Sequence, residues 1–310
     1  MRETFVPRRF TGSSLRIIEQ AVSIIAEMEA EGYSLTLRQL YYQFVTKNWL
    51  KNTFQNYKRL GSIINDARLA GLIDWDSITD ITRYLRRIPD WSSPRDFINK
   101  QGQQYAEDLW RDQEHYVEVW IEKDALIGVI QRPCDKWRVP YLSCRGYVSQ
   151  SELYEASKRL KFESEQRGDD HRPVTIIHLS DHDPSGLDMT EDLTKRLDMF
   201  CGKGVVHVER IALTYEQITQ YNPPPNPVKE TDSRHIGYAE RFGSESWELD
   251  SLRPSVIAGL VEDAIRQRLD EDLFETQLAA ETENRRDLLS VGTYYGEVRQ
   301  FPKSGHRVIE

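Results

Sequence analysis

The sequence predicts an α/β protein with an α-helical N-terminal part, on three observations. The first 80 or so residues carry apolar positions at helical spacing. Residues 115–213 alternate short apolar runs with helical stretches, the rhythm of a parallel sheet with helices on both faces. From about 253 to 290 the chain is helical in pattern and heavily charged.

Element by element, Leu15, Ile18, Val22, Ile25 and Met28 predict a helix over 13–31, stopped by Gly32. Thr36-Leu-Arg-Gln39 reads as a capping box opening a helix to about Lys47. A third helix is expected from Thr53 to Arg68, with Gly71 behind it. Leu72-Ile-Asp-Trp75-Asp-Ser-Ile78 reads as a short strand or wing, so residues 1–95 suggest a winged helix-turn-helix that binds DNA. The polar stretch 96–113 reads as a connecting helix or linker. The alternation then predicts strands at 115–122, 139–144, 173–180 and 205–213, with helices at 124–137, 149–165 and 186–199. This central domain is expected over 114–252, interrupted by a stiff Pro223–Pro227 loop, and a helical tail over 253–310.

Composition narrows the class. A chain of 310 residues, 39% hydrophobic and 29% charged, has room for two domains or one with appendages. No apolar run approaches membrane-spanning length, and the start Met1-Arg-Glu-Thr lacks a signal-peptide core. Cys134, Cys144 and Cys201 have no CxxC spacing, so reduced thiols in a cytoplasmic protein are expected, without zinc or disulfides. The net charge of −9 is unevenly spread. Residues 1–100 hold 15 Lys/Arg against 11 Asp/Glu, and the remainder 26 against 39. A basic front and an acidic remainder are compatible with DNA contact through the first part.

The central domain carries the chemistry. Thr175-Ile-Ile-His-Leu-Ser-Asp181-His-Asp183-Pro-Ser-Gly186 ends an apolar run in two carboxylates, two residues apart. On a strand they point the same way, and two like charges that close need a cation; hard oxygen ligands select Mg²⁺ or Mn²⁺. His115-Tyr-Val-Glu-Val-Trp-Ile-Glu122-Lys123-Asp124 is a second run ending in acid. Glu122, Asp181 and Asp183 are therefore the expected ligands, at the C-terminal edge of a sheet. His182 is expected to pack on the other side of the strand, and Asp188 to cap the following helix.

In the first domain, Leu37, Leu40, Tyr41, Phe44 and Val45 form a helical stripe that takes Tyr41 into the core. Tyr42 falls off the stripe, one turn from Arg38 on the same face. An exposed phenol beside a guanidinium suits attack on a phosphodiester, the arginine steadying the phosphate; taken alone, the pair is weak evidence, since tyrosines commonly pack or hydrogen-bond at a domain surface. Lys58-Arg59, Arg86-Arg87, Lys123 and Arg145 are candidate phosphate contacts, with solvated faces, helix caps or pairing with neighbouring acids as the alternatives.

Together these motifs resemble the A subunit of topoisomerase VI and its meiotic double-strand-break relatives, most closely the minimal stand-alone bacterial or phage forms. Arg38-Gln-Leu-Tyr41-Tyr42 is similar to the family's Arg-x-x-(Tyr/Phe)-Tyr, Ile121-Glu122-Lys123-Asp124 to its Glu-Lys signature, and Asp181-His-Asp183-Pro-Ser-Gly186 to its Asp-x-Asp-x-x-Gly. Cys144-Arg145-Gly146-Tyr147 looks like Gly-Lys-Gly-Tyr-Pro, with Val148 in the proline's place. Trp247-Glu248-Leu-Asp250-Ser-Leu252 is similar to a Glu-rich element near the family's C-terminal end.

The resemblance, over about residues 34–255, implies a winged-helix domain followed by a Toprim domain. It implies Mg²⁺-dependent cleavage of double-stranded DNA, in which Tyr42 becomes joined to the 5′ end with Arg38 assisting. Glu122 serves as a ligand or as a proton shuttle. A cytoplasmic, nucleoid-associated homodimer with composite sites is implied, with any ATPase on a separate subunit. Two alternatives stay open: a hydrolytic Toprim nuclease using metal-activated water, and a DNA-binding module without turnover.

Overall fold

The computed structural model describes residues 2–78, 88–166 and 171–300, with side chains through Glu297. The chain divides into two units, Met1–Arg83 with Glu114–Arg268, and Tyr84–Gln113 with Leu269–Glu310.

The first unit opens with three helices. α1 (Gly12–Ala30) is capped by Thr11 and ends at Gly32, whose φ of +83° suits a residue without Cβ. α2 (Leu37–Thr46) begins with the Thr36–Gln39 capping box, both reciprocal bonds in place. α3 (Phe54–Leu69) starts at the Thr53 cap. Their shared core holds Ile18, Ile24, Leu40, Phe44, Leu60 and Ile64. Residues 72–78 make one parallel bridge, Ile78 to Leu35, where a strand or wing was expected. Asp74 accepts from the Asp76 amide in a local turn, and Arg68 donates to the Trp75 carbonyl, so the backbone curls before it can extend.

α4 (Pro94–Gln104) belongs to the second unit; the sheet of the first follows it in sequence. β1 (Tyr116–Ile121), β2 (Tyr141–Ser143), β3 (Val174–Leu179) and β4 (Val206–Ala212) lie in the order β2-β1-β3-β4, all parallel. β1 and β3 are buried along their whole length, as central strands covered on both faces must be. The one acid inside β1, Glu118, is satisfied by Tyr116, Trp120 and a two-pronged pair with Arg159.

α5 (Ile127–Lys136) follows β1, α6 (Gln150–Glu165) follows β2, and α7 (Pro184–Cys201) follows β3. α6 and α7 pack together over Trp120, Ile176, Leu193 and Leu197. After β4 come α8 (Tyr215–Tyr221), β5 (Asn226–Pro227), α9 (His235–Phe242), β6 (Glu245–Ser246) and α10 (Pro254–Arg266). α10 packs on α5 and β4. The helices after β1 and β3 thus cover opposite faces, which opens a crevice at the C-terminal ends of these two neighbouring strands.

In the second unit α4 packs along α11 (Glu271–Thr293), which is followed by α12 (Tyr295–Gln300). The approach is close: a Cβ on Gly292 would meet Asn99 Oδ1 at 1.8 Å. The polar stretch 96–113 therefore carries most of a helix paired with α11. The segment expected as one tail is divided, α10 lying in the first unit and α11 in the second. Among the described residues no helix is long and apolar enough to cross a membrane.

Candidate metal centre

β1 delivers Glu122 and Lys123 to the crevice, and β3 delivers Ser180 to Asp183. The Glu122 amide extends the ladder to the Leu179 carbonyl, and its carboxylate accepts from the Asp181 amide at 3.0 Å. Burial raises the Glu122 pKa above the ordinary carboxylate range, and the nearby Asp183 charge adds to that.

A third segment completes the cluster. The backbones of His182 and Trp247 exchange hydrogen bonds at 2.8 and 2.9 Å, an isolated antiparallel bridge that lays residues 247–251 across Asp181. Asp181 accepts from the Leu249 amide at 2.8 Å. Asp181, Glu248 and Asp250 then offer carboxylate oxygens all within 4.8 Å of one another, a set that could hold a metal ion. Three hard oxygen donors suit a divalent cation such as Mg²⁺ or Mn²⁺.

Of the expected ligands Glu122, Asp181 and Asp183, only Asp181 belongs to this group, which adds Glu248 and Asp250. Glu122 is held on the Asp181 amide. Asp183 lies beyond the last residue of β3 and serves as N-cap of α7, accepting from the Gly186 amide at 2.6 Å. Gly186 is required there: a Cβ would lie 2.1 Å from the Asp181 carbonyl oxygen.

Lys123 was a candidate for a phosphate contact or for an exposed cap, and it is not exposed. Instead its ammonium sits within the acid cluster, 2.7 Å from Asp181 and bonded to Glu248 and Asp250. Burial works against its charge, but the three carboxylates outweigh it and hold its pKa well above the ordinary lysine range. Glu248 is half-buried, yet Lys123 and Arg38 pull its pKa down to about 2. Asp181 goes the other way, since its burial outweighs the help from Lys123.

Arg38, expected to steady a phosphate, is engaged here by carboxylates. It donates to Asp250 at 2.7 Å and to Glu248 at 2.9 Å, tying α2 to the acid-bearing turn. Tyr42, expected as an exposed phenol, is only 7% exposed because the 249–251 turn packs on α2. Its ring meets Tyr41 edge-on and lies 5.7 Å from the Arg38 guanidinium, and burial raises its pKa. Tyr42 nevertheless lines a cleft of about 440 Å³ with Asp181, Asp183, Glu248 and Lys229. A cavity of about 550 Å³ beside Phe5 and Trp75 is lined by none of these residues.

Arg210, on β4, escaped the sequence reading. A bulge sets His178 opposite Arg210 and Leu179 opposite Ala212. The guanidinium donates to the carbonyls of Ser180, Asp181, Gly186 and Leu213 and to the hydroxyls of Ser180 and Thr190. It is the underside of the acid-bearing turn, and burial lowers its pKa to about 10. His182 packs, as expected, in a cage of Tyr215, Tyr238, Phe242 and Trp247, with Tyr238 on its Nδ1.

The remaining residues spread out. Arg145, at φ +53°, pairs with Asp124 at 3.2 Å and stays largely exposed. Asp188, expected as a cap, lies inside α7, whose cap is Asp183, and bonds Tyr147 and Arg234; Arg234 also holds Asp232 by two prongs at 2.8 Å. Lys58 and Arg59 are exposed on α3, Lys58 lying over the Phe54 ring. Arg86 and Arg87 lie outside the described residues.

The fold and site define an α/β protein with a four-stranded parallel sheet and a buried acid cluster able to hold a cation. Compared with models of known protein families the chain matches none, and no curated protein matches it either.

Proposed function

We propose that the protein is a Mg²⁺- or Mn²⁺-dependent DNA-cleaving enzyme of the topoisomerase VI A-subunit type, a winged-helix-like domain joined to a Toprim-like sheet. One observation carries the reading: Tyr42 and the carboxylates Asp181, Asp183 and Glu248 line one cleft. A tyrosine and an acid cluster that could hold a metal ion, lining one cleft, are the two parts that phosphodiester transesterification needs.

In this reading Tyr42 Oη attacks phosphorus and gives its proton to a solvent water in the cleft. A phosphotyrosyl bond to the 5′ end forms while the bond from phosphorus to the 3′ oxygen breaks, and that oxygen takes up a proton. Glu122, whose burial raises its pKa and favours the protonated carboxyl, is the group assigned to supply that proton. A bound divalent ion supplies charge stabilisation at the scissile phosphate. Asp181, Glu248 and Asp250 would hold it, and Lys123 must then yield its place among them. Arg38 acts by fixing the Asp250 and Glu248 carboxylates. The homodimer, the double-stranded substrate and a separate ATPase subunit rest on the family resemblance.

The burial of Tyr42 and the engagement of Arg38 favour a second reading, hydrolysis by water with Tyr42 as a DNA contact. Supercoiled plasmid incubated with protein and Mg²⁺ or Mn²⁺, then denatured with and without protease, separates the two. Protein-blocked ends that vanish in Tyr42→Phe support transesterification. Free ends that survive Tyr42→Phe support hydrolysis, and no cleavage with either metal refutes both.

A further inference from the structure

Beside the acid-lined cleft lies a second cavity of about 460 Å³, and Tyr42, Phe54, Lys229 and Glu248 border both. Tyr42 and Tyr57 wall this second cavity, and Phe54 also lines it while 71% exposed, with the Lys58 ammonium 4.6 Å from its ring centroid. Phe54, at the first position of α3, thus presents an open aromatic face at the cavity with a cation beside it.

The polar lining is already engaged. Asn52 accepts from the Tyr41 hydroxyl and donates to Asn226, the Thr53 hydroxyl caps α3, and Glu248 is paired with Arg38 and Lys123. The pocket therefore offers ring faces more than hydrogen-bonding edges. Lys229 is the exception. It is exposed, it borders both cavities, and its ammonium has no bonding partner among the described residues.

We propose that this pocket takes one unstacked nucleobase, stacked on Phe54, while Lys229 contacts the phosphate leading from that base into the acid-lined cleft. The volume falls in the range of small-molecule sites, roughly 300–1,000 Å³. Aromatic faces beside a cationic path are the general means of holding an unpaired base. With the edge-reading groups engaged, the pocket senses that a base is present and not which base it is. This rests on the reading of the cleft as a nucleic-acid site and narrows its substrate to DNA with an unpaired or extruded base next to the attacked phosphate.

The test is fluorescence anisotropy with the full chain in EDTA, where metal-dependent cleavage is silent. Three short labelled duplexes are compared: one with a single bulged thymidine, one with an abasic bulge, and one fully paired. The bulged base is expected to bind about tenfold more tightly than the abasic bulge. Phe54→Ala removes that difference and Phe54→Trp keeps it. Lys229→Ala weakens all three duplexes and lowers the salt slope by about one unit. Equal binding of base-bearing and abasic bulges, or a difference that survives Phe54→Ala, overturns the proposal. So does a Phe54→Ala protein that only loses self-association in sedimentation, which would make the pocket a contact between copies. Base preference without any cleavage refutes the proposed function and leaves the pocket standing; cleavage without base preference refutes the pocket alone.

Discussion

The Lys123 ammonium lies 2.7 Å from Asp181, inside the same carboxylates that could hold a metal ion. In the absence of a divalent ion this lysine supplies the positive charge that lets Asp181, Glu248 and Asp250 stay together in the interior. Removing one partner of a buried ion pair leaves the others uncompensated, at a cost of about 3–5 kcal/mol. Lys123→Met should therefore destabilise the metal-free protein by about that much and make it unusually responsive to divalent ions. Thermal unfolding with EDTA and with Mg²⁺ or Mn²⁺ checks this. A variant whose melting temperature rises no more with metal than the wild type's would contradict the shared-site account.

Glu248 sets a pH dependence. Its pKa is lowered to about 2 in the folded protein against an ordinary 4.5, so the unfolded chain takes up its proton first as pH falls. Its contribution is present above about pH 4.5 and is lost as pH falls towards 2. Urea unfolding of wild type and Glu248→Gln at pH 6 and at lower pH should show the two stabilities converging as the acid limit is approached. A gap that stays constant with pH would contradict the pairing with Lys123 and Arg38.

Arg210 should matter to stability more than any surface arginine. Its guanidinium is the donor to the Asp181 and Leu213 carbonyls, whereas the Ser180 and Gly186 carbonyls also accept from the Leu213 amide and the Ser180 hydroxyl. At about 1–3 kcal/mol for each of the two acceptors left unsatisfied, Arg210→Met is expected to cost at least about 2 kcal/mol in chemical denaturation, and Arg210→Lys less. A loss under about 1 kcal/mol would mean the turn is held by something else.

Two glycines make a matched pair. Gly186→Ala forces a Cβ to 2.1 Å from the Asp181 carbonyl, a backbone clash, so the acid-bearing turn must shift and stability must fall. Gly259, inside α10, has open space around its missing Cβ. Gly259→Ala should gain about 0.5–1 kcal/mol from helix propensity alone. Calorimetric melting of the two variants gives opposite signs if the turn is as close as described, and like signs if it is not.

What could be read from the sequence is what carries a local signal. Thr36 with Gln39, and Thr53, mark helix starts by their own side chains, and the buried runs of β1 and β3 mark a covered parallel sheet. Asp181 was legible as an acid at a strand end. Asp183 was not placed correctly, because β3 stops at Leu179 and the alternation was carried past it; Pro184 directly after Asp183 was the available sign of a helix cap. Glu248 and Asp250 stand in an element whose likeness to a Glu-rich motif shows in the sequence, but their meeting with Asp181 depends on the His182–Trp247 bridge, a pairing between distant segments that spacing does not show. The stripe on α2 was read correctly, but Tyr42 is buried by the 249–251 turn, a third layer that periodicity cannot reveal. Arg210 was invisible because its partners are mostly backbone carbonyls, which every residue has.

The most direct test of the central claim is to look for the bond itself. The protein is incubated with DNA and Mg²⁺, quenched with denaturant, and digested with nuclease and protease for mass spectrometry. A peptide containing Tyr42 that carries a nucleotide through its phenolic oxygen, absent when Asp181→Ala replaces the wild type, is the predicted result. DNA cut to completion with every Tyr42 peptide unmodified would contradict it.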